Sequence, residues 1–339
     1  MTMVTRRTLI AGGAAGVAVG ALNVAGCGKK DEPVIHPEGV PLSQFDKKTT
    51  AEQALAGIDL AGKTLLITGG TSGLGLESAR VLIARGANVL LTGRTLARAQ
   101  EVGSTLGARA TPLALELEQP ETIVACAEEV TRLGMPLDGL ICNAGIMVLG
   151  DLRQVNGIEQ HFAVNHLGHF LLVNRLLPQV QAAPQGRVVV VASSAYKWAP
   201  PAGIEFDNLS GERDFTPNKA YGQSKLANTL FSWELARRQQ GTTTTSNSVN
   251  PGAVDTDLWR HYPRWQQLLL APVKGFLLKN SAEGASTQCY VAATPALAGT
   301  SGYYFENCNA IVPPSQVHDP ALAQQLWSTS EELLRPYLA

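Results

Sequence analysis

From Lys63 onward, short apolar runs alternate with longer amphipathic stretches, and this alternation limits the folds open to the chain. The runs begin at residues 64, 88, 110, 137, 187, 243 and 302, and they read TLLIT, NVLLTG, ATPLAL, LDGLICN, RVVVVAS, TTTSNSV and GYYFE. Stretches such as GLESARVLIARG and PETIVACAEEVTRLG separate them. Continuous apolar strands separated by helices indicate a parallel sheet covered on both faces. We therefore predict an α/β fold, a doubly wound parallel sheet in a single domain.

The overall composition argues against several classes of protein. The 339 residues are 45% hydrophobic and carry a net charge of −1, which fits a globular chain without a basic surface for nucleic acid. The histidines and cysteines lack metal-ligand spacing, so we predict neither a metal site nor a nucleic-acid partner. Four cysteines are expected to be buried free thiols and not a disulfide framework: Cys126, Cys142, Cys289 and Cys308.

The chain begins with a segment typical of export. Arg6 and Arg7 precede TLIAGGAAGVAVGALNVA, which is too rich in Gly and Ala for a permanent membrane span. The arginine pair resembles a twin-arginine signal, and Val24-Ala25-Gly26-Cys27 resembles the lipobox of a bacterial lipoprotein, in which Cys27 would carry the lipid.

These signals predict three regions. Residues 1–27 would form a signal or anchor segment, residues 28–56 a Pro- and Lys-rich tether, and residues 57–339 the catalytic domain. The protein would then be exported and held at the periplasmic membrane surface by its lipid. The alternatives are an uncleaved N-terminal anchor, or a cytoplasmic protein with a fortuitous Ala/Gly-rich leader.

A glycine-rich turn follows the first strand and opens the next helix. Its TGxxxGxG spacing lets the backbone approach a pyrophosphate closely, and the helix N-terminus offers free N–H groups. We therefore predict a Rossmann-type dinucleotide site, although such a turn can also simply connect two elements. The candidate cofactor residues here are Thr68, Gly69, Ser72, Gly73, Leu74 and Gly75.

The end of the second strand bears on the choice of cofactor. NAD-binding proteins usually place an acidic residue here, whereas this chain has Gly93 followed by Arg94. Arg94 would hold a 2′-phosphate, which favours NADP and leaves NAD as the alternative; a solvated surface arginine is the other interpretation. Glu116, after the third strand, is either near the adenine or an ordinary exposed glutamate.

Tyr221 and Lys225 are four residues apart in NKAYGQSKLANTLFSWELARR, a spacing that puts both side chains on one face of a helix. An ammonium beside a phenol stabilises the phenolate and so lowers its pKa. Such a phenol can move the proton that accompanies hydride transfer at an alcohol or carbonyl. Taken alone, the pair also occurs by chance on many helices.

The order of these motifs is similar to that of the short-chain dehydrogenases/reductases over roughly residues 57–335. It runs from the glycine-rich turn through Asn143-Ala144-Gly145, Asn165 and Ser193 to the YxxxK pair. The resemblance implies that Asn143, Ala144 and Gly145 stabilise the sheet and border the cofactor.

The same resemblance assigns the remaining site residues. Asn165 would support a water relay to Lys225, its alternative being a helix-kinking or buried, satisfied asparagine. Ser193 would hydrogen-bond the substrate oxygen, with Ser194 as the alternative one register away. Tyr221 and Lys225 would also contact the cofactor, and Asn250, Pro251, Gly252 and Thr256 would border the nicotinamide.

Within the family, the chain resembles the retinol-dehydrogenase-like branch. The long connection from Ser193 to Tyr221, the SKLAN run and the tail SGYYFENCNAIVPP carry this likeness. It implies NADP(H) and a lipophilic alcohol, aldehyde or ketone. The Trp- and Leu-rich stretch DLWRHYPRWQQLLLAPVKGFLLKN would cover such a substrate or pack on the domain or a partner.

The sequence thus predicts an NADP-dependent oxidoreductase that interconverts an alcohol and its ketone or aldehyde. Its partners would be that small molecule and the membrane, through the lipid anchor, and a homo-oligomer is compatible with the pattern. The alternative is a non-catalytic, nucleotide-binding exported lipoprotein that serves as a redox sensor or scaffold.

Overall fold

An eight-stranded sheet forms the centre of the computed structural model, which describes residues 34–254, 278–313 and 315–338. Its strands are β1 (Thr64–Ile67), β2 (Asn88–Gly93), β3 (Ala110–Ala114), β4 (Gly139–Cys142), β7 (Arg187–Val191), β8 (Thr245–Asn250), β9 (Tyr304–Glu306) and β10 (Asn309–Ile311). Their order in the sheet is β10-β9-β8-β7-β4-β1-β2-β3, and all neighbouring strands are parallel except the antiparallel pair β9 and β10. A separate hairpin pairs β5 (Gln154–Val155) with β6 (Ile158–Glu159).

Helices cover both faces of the sheet. They are α1 (Ala51–Ala54), α2 (Gly73–Ala84), α3 (Leu96–Leu106), α4 (Pro120–Arg132), α5 (Gly168–Gln181), α6 (Pro217–Arg238), α7 (Ser281–Gly284), α8 (Ser286–Ala293) and α9 (Pro320–Leu338). A π-helix, Phe162–Leu167, leads directly into α5. No helix in the described ranges is long and apolar enough to cross a bilayer.

Residues of β1 show why the strands read as continuous apolar runs. The Leu66 side chain belongs to the hydrophobic cluster that includes α4, α5, α6 and α9, whereas Leu65 and Ile67 belong to the cluster on the opposite face. The central strands β1, β4 and β7 are therefore buried on both sides, and polar alternation there would place polar groups in a core. The doubly wound, Rossmann-type parallel sheet in a single domain is confirmed.

The seven predicted strands all form, while the short elements were missed. Strand β8 is the hardest to recognise from the sequence, because most of its residues are polar although they are buried. Their side chains form hydrogen bonds inside the domain: Ser246 Oγ lies 3.0 Å from Ser232 Oγ, and Asn247 Nδ2 donates to the Thr300 carbonyl. β10 and the β5–β6 hairpin are too short to leave a periodic signal. The four cysteines predicted to be buried free thiols are both buried and free.

The N-terminal strap, residues 35–45, lies along strand β10. The Val312 amide donates to the Ile35 carbonyl, and Asn309 Oδ1 accepts from the Ser43 amide at 2.8 Å. Farther along, Thr50 and Gln53 form a capping box at α1, whose Ala51 is fully buried. The stretch predicted as a tether therefore contains residues that pack on the sheet and its helices.

The strand order reverses at β1, which lies between β2 and β4. Ligands of doubly wound sheets bind in the crevice beyond the carboxyl ends of the strands at such a point. Thr68 directly follows β1, and Asn143 directly follows β4. The fold thus brings two of the predicted cofactor motifs to this crevice.

Two histidines at the π-helix give a prediction for acid stability. Burial lowers the pKa of His166 to about 3 and that of His169 to about 4, from a reference value of 6.5. Both folded-state pKa values lie below the unfolded value, so the unfolded chain binds more protons below about pH 6.5. The two neutral histidines therefore make their full contribution to the free energy of unfolding above that pH, and this contribution is lost progressively as the pH falls toward 4.

Replacing His166 with glutamine should flatten this pH dependence. Glutamine does not titrate, and its amide can still reach Ser330 Oγ, which lies 2.8 Å from His166 Nε2. The slope of the unfolding free energy between about pH 6.5 and pH 4 should fall by on the order of 1 kcal/mol per pH unit. Urea unfolding at several pH values measures it, and an unchanged slope would contradict the neutral burial of His166.

Candidate active site

The glycine-rich turn packs so closely that only glycine fits at two positions. Gly69 has φ 65°, and a Cβ there would lie 3.0 Å from the Ala144 Cβ. A Cβ on Gly75 would lie 2.3 Å from the Gly69 carbonyl oxygen.

The N-terminus of α2 adjoins this turn. Ser72 is the N-cap of α2, yet its side chain makes no capping hydrogen bond. Its hydroxyl and the first N–H groups of α2 are thus able to bind a phosphate, as a dinucleotide requires. Gly73 and Leu74 are the first two residues of α2.

Buried hydrogen bonds fix the turn to the Asn-Ala-Gly motif. Thr68 Oγ1 accepts from the backbone amides of Asn143 and Ala144, each at 2.9 Å, and Asn143 Nδ2 donates to the Thr68 carbonyl. Gln288 Nε2, from α8, donates to Asn143 Oδ1 at 3.1 Å. These hydrogen bonds therefore fix the position of the turn relative to β4.

Arg94 and Glu116 lie near one another at the carboxyl ends of β2 and β3. Arg94 is exposed, and Glu116 is partly buried. Burial raises the pKa of Glu116, while the Arg94 charge is among the effects that oppose this rise. Arg94 is therefore available to a ligand in the crevice.

Tyr221 and Lys225 lie on one face of α6, as their spacing predicted. Lys225 Nζ is 5.6 Å from the centroid of the Tyr221 ring and donates to the Val191 carbonyl at 3.1 Å. Gly145 adjoins both Lys225 and Asn165, since a Cβ on it would lie 3.5 Å from Lys225 Nζ and 3.1 Å from Asn165 Oδ1. Lys225 is only 4% exposed, and burial lowers its pKa to about 8.

The expected lowering of the Tyr221 pKa is not found. Burial raises the pKa of Tyr221 to about 12, and only a hydrogen bond with Ser193 opposes the rise. The reason is geometric: the Lys225 ammonium lies over the ring and points to the Val191 carbonyl, so desolvation of the phenol dominates.

The structure separates the two candidate serines. Ser193 follows β7 as the N-cap of a 3₁₀ turn, where its Oγ accepts from the Ala195 amide at 3.1 Å, and it is close enough to Tyr221 to oppose the rise of the Tyr221 pKa. Ser194 is exposed and starts the turn itself. Of the two, Ser193 adjoins the candidate acid/base.

Asn165 lies in the π-helix and is completely buried. Its Oδ1 accepts from the Ile146 amide at 2.8 Å, and its Nδ2 donates to the Ile146 carbonyl and to Ser224 Oγ, both at 3.0 Å. Asn165 thus joins the loop after β4 to α6, one residue before Lys225. Its side-chain amide is thus satisfied by these three hydrogen bonds.

The Tyr221 ring lies between a buried and an exposed aromatic residue. The His161 ring contacts it edge-on at 5.9 Å, while the Trp198 ring lies 6.5 Å away and is 47% exposed. His161 Nε2 accepts from the Val148 amide, and His161 Nδ1 lies 2.6 Å from Glu159 Oε1. His161 therefore holds the loop after β4 beside Tyr221.

Sequence reasoning missed His161, His169 and Gln288. The signal was present in QHFAVNHLGHF, where histidines recur along a stretch whose other residues are mostly apolar. Polar side chains at buried helix positions must find hydrogen-bond partners. Histidines recurring in such a stretch therefore indicate a buried hydrogen-bond network.

The last cofactor motif is described in part. Pro251 and Gly252 follow β8, and the Gly252 amide donates to Asn250 Oδ1 at 3.0 Å. Thr256, most of the Trp- and Leu-rich stretch after it, and Cys27 lie outside the described residues.

Comparison with known proteins shows the family of this chain. A family model described as short chain dehydrogenase matches residues 63–206. The chain is 39% identical over 304 residues to the short-chain dehydrogenase TIC 32 B of Brassica napus, covering 86% of this chain and 95% of that protein. This chain belongs to the short-chain dehydrogenase family. Human retinol dehydrogenase 14 is 37% identical to this short-chain dehydrogenase over 293 residues, covering 80% and 86% of the two chains.

Solved structures extend the likeness to the fold. A crystal structure of an uncharacterised protein from Mycobacterium paratuberculosis has a TM-score of 0.67 at 30% identity, covering 83% of this chain and 97% of that one. The Pseudomonas aeruginosa RhlG/NADP complex has a TM-score of 0.59 at 26% identity, covering 73% and 95%. Family membership makes this short-chain dehydrogenase an oxidoreductase with a nicotinamide-dinucleotide fold.

Proposed function

We propose that this short-chain dehydrogenase is an NADP-dependent oxidoreductase that interconverts a lipophilic alcohol and its ketone or aldehyde. The observation that carries the proposal is the meeting of Tyr221, Ser193 and Lys225 beside the glycine-rich turn. A protein that only bound nucleotide would have no use for a phenol, a hydroxyl and an ammonium arranged in this way.

Each of these side chains has a chemical task in the proposal. Tyr221 transfers the proton at the substrate oxygen, and Ser193 orients that oxygen by a hydrogen bond. Lys225 holds the nucleotide ribose, while Asn165 supports the relay to Lys225. The bound nicotinamide supplies or takes up the hydride.

Two features support NADP over NAD. Arg94 is exposed at the end of β2 and carries a positive charge suited to a 2′-phosphate. Gly93 just before it has no room for the acidic side chain that an NAD ribose prefers, because a Cβ there would lie 2.8 Å from Thr71 Cγ2.

Exposed apolar side chains near the acid/base support a lipophilic substrate. Trp198 flanks the Tyr221 ring, and Leu149, which is 36% exposed, lies on the loop that His161 holds. A substrate that covers them removes apolar surface from water, which favours binding.

The N-terminal segment, residues 1–27, suggests where in the cell the enzyme works. The proposal includes export by the twin-arginine route, lipidation at Cys27 and a location at the periplasmic membrane surface; a homo-oligomer is compatible with it. The basis is the sequence of residues 1–27. The mass of the mature N-terminus tests it, since an unprocessed and unlipidated chain would refute export with lipidation.

Turnover of a carbonyl panel tests the proposed function. The purified full chain should oxidise NADPH in the presence of long-chain or aromatic aldehydes and ketones, and more slowly with NADH. The loss of absorbance at the nicotinamide band measures the rate of NADPH oxidation. Tight NADPH binding without turnover of any member would favour a sensor or scaffold instead.

Replacing Arg94 with glutamate provides the matched test of cofactor choice. It removes the proposed phosphate partner and supplies an acceptor for a ribose hydroxyl, so kcat/KM should shift from NADPH toward NADH by ~10- to 100-fold. Arg98, an exposed arginine that pairs with Glu101, is the control position. An equal effect of Arg98→Glu would remove Arg94 from the site.

A further inference from the structure

His169 lies fully buried beneath the glycine-rich turn, and the mechanism above makes no use of it. Its Nε2 is 2.9 Å from Thr68 Oγ1, and its Nδ1 is 3.0 Å from the backbone carbonyl oxygen of Asn165. One imidazole ring thus connects the first residue of the cofactor turn to the residue at the centre of the proposed relay.

The partners at both ends specify one tautomer. A carbonyl oxygen only accepts hydrogen bonds, so the contact with Asn165 requires a proton on Nδ1. At the other end, the two lone pairs of Thr68 Oγ1 are filled by the Asn143 and Ala144 amides. The Thr68 hydroxyl must then donate its own proton, and His169 Nε2 accepts it.

The ring is also neutral at neutral pH. Burial lowers the pKa of His169 to about 4, against the opposing hydrogen bond to Asn165, and the nearby Lys225 charge lowers it further. A neutral ring with its proton on Nδ1 satisfies both of its contacts, with Thr68 and with Asn165.

The hydrogen bonds continue from Asn165 to the catalytic helix. Asn165 Nδ2 donates to Ser224 Oγ at 3.0 Å, and Ser224 Oγ donates to the Tyr221 carbonyl at 2.8 Å. On the opposite side, Thr68 connects through Asn143 to Gln288 of α8. His169 is thus a side-chain link between the cofactor half of this network and the Tyr221 half, beside the loop after β4.

We propose that His169 is a positioning residue, which as its Nδ1–H tautomer sets the spacing between the cofactor turn and the Asn165–Lys225–Tyr221 group. This inference rests on the proposed function for its effect on turnover. The imidazole touches neither substrate nor reacting atoms in this assignment, and it acts through Thr68 and Asn165.

Two amide substitutions separate the two halves of this role. In His169→Gln, the amide oxygen takes the place of Nε2 and still accepts from Thr68, but the donor to Asn165 is lost. In His169→Asn, the amide nitrogen takes the place of Nδ1 and still donates to Asn165, but the acceptor for Thr68 is lost. His166→Gln is the matched control, because His166 is equally buried but bonds to Ser330 of α9.

The expected results differ between the variants. His169→Gln should lower kcat ~10-fold and leave the NADPH Kd within about twofold, since one buried hydrogen bond is lost on the relay side. His169→Asn should raise the NADPH Kd ~10-fold and leave kcat within about twofold. The control variant should change neither kcat nor the NADPH Kd. Steady-state kinetics measures kcat, and a fluorescence titration with NADPH measures the Kd.

A measurement on the unmodified chain guards against variants that fail to fold. Nitrogen-15 NMR of histidine-labelled protein reports the tautomer directly, and we expect a neutral ring with its proton on Nδ1 for the signal that disappears in His169→Gln. A proton on Nε2, or variants that lower only the Tm, would overturn the assignment. If the parent chain turns over no carbonyl compound, the proposed function fails, whereas the tautomer and the NADPH Kd of His169→Asn still decide the role of His169.

Discussion

Replacing Tyr221 with phenylalanine is expected to lower kcat by ~100- to 10,000-fold, the range that a positioned general acid/base contributes. The substitution removes only the phenol oxygen, so the ring contacts with His161 and Trp198 can persist. The NADPH Kd should therefore stay within about twofold of the parent value. Steady-state turnover of a panel aldehyde and a fluorescence titration measure the two quantities.

Tyr196→Phe is the matched control for this experiment. Tyr196 is a buried tyrosine three residues beyond Ser193, and its ring packs edge-on against Tyr304. Loss of the Tyr196 hydroxyl in this variant should leave turnover unchanged. Comparable losses in both variants would mean that a fold effect, and not proton transfer by Tyr221, limits the rate.

Replacing Gly75 with alanine should abolish tight nucleotide binding. The added Cβ would lie 2.3 Å from the Gly69 carbonyl oxygen and 2.6 Å from Asn143 Nδ2, so the turn must move away from α2. Overpacking of this kind costs ~1–3 kcal/mol, and the displaced backbone is the part that a pyrophosphate contacts. We expect the NADPH Kd to rise at least ~100-fold, as measured by fluorescence titration.

Gly103→Ala separates this effect from a general response to a larger side chain. Gly103 lies buried in α3, and the nearest atom to a Cβ there is 3.8 Å away, an ordinary van der Waals contact. Alanine also favours the helix, so both the Tm and the NADPH Kd should be preserved or slightly improved. Unimpaired binding by Gly75→Ala would show that the nucleotide does not use this turn.

The sequence predicted the sheet because strands such as β1 carry apolar residues on both faces. It also predicted that Tyr221 and Lys225 share a face of α6, since helical spacing is local information. It could not predict the direction of the Tyr221 pKa shift, which depends on where the Lys225 ammonium points after folding. The His169 link is equally inaccessible to local patterns, because Thr68 is 101 residues away from it in the chain.

The N-terminal strap, residues 35–45, depends for its hydrogen bonds on the last strand of the sheet. His36 Nδ1 lies 2.7 Å from the Ala310 carbonyl oxygen, across a separation of 274 residues. At a synthesis rate of ~5–20 residues per second, the strap waits roughly 15 to 55 s on the ribosome before its partner strand exists. Loop closure over such a distance also comes late in folding. The strap is made before every strand of the sheet and is therefore among the last segments to be bound in place, and until then it does not cover the β10 edge of the sheet.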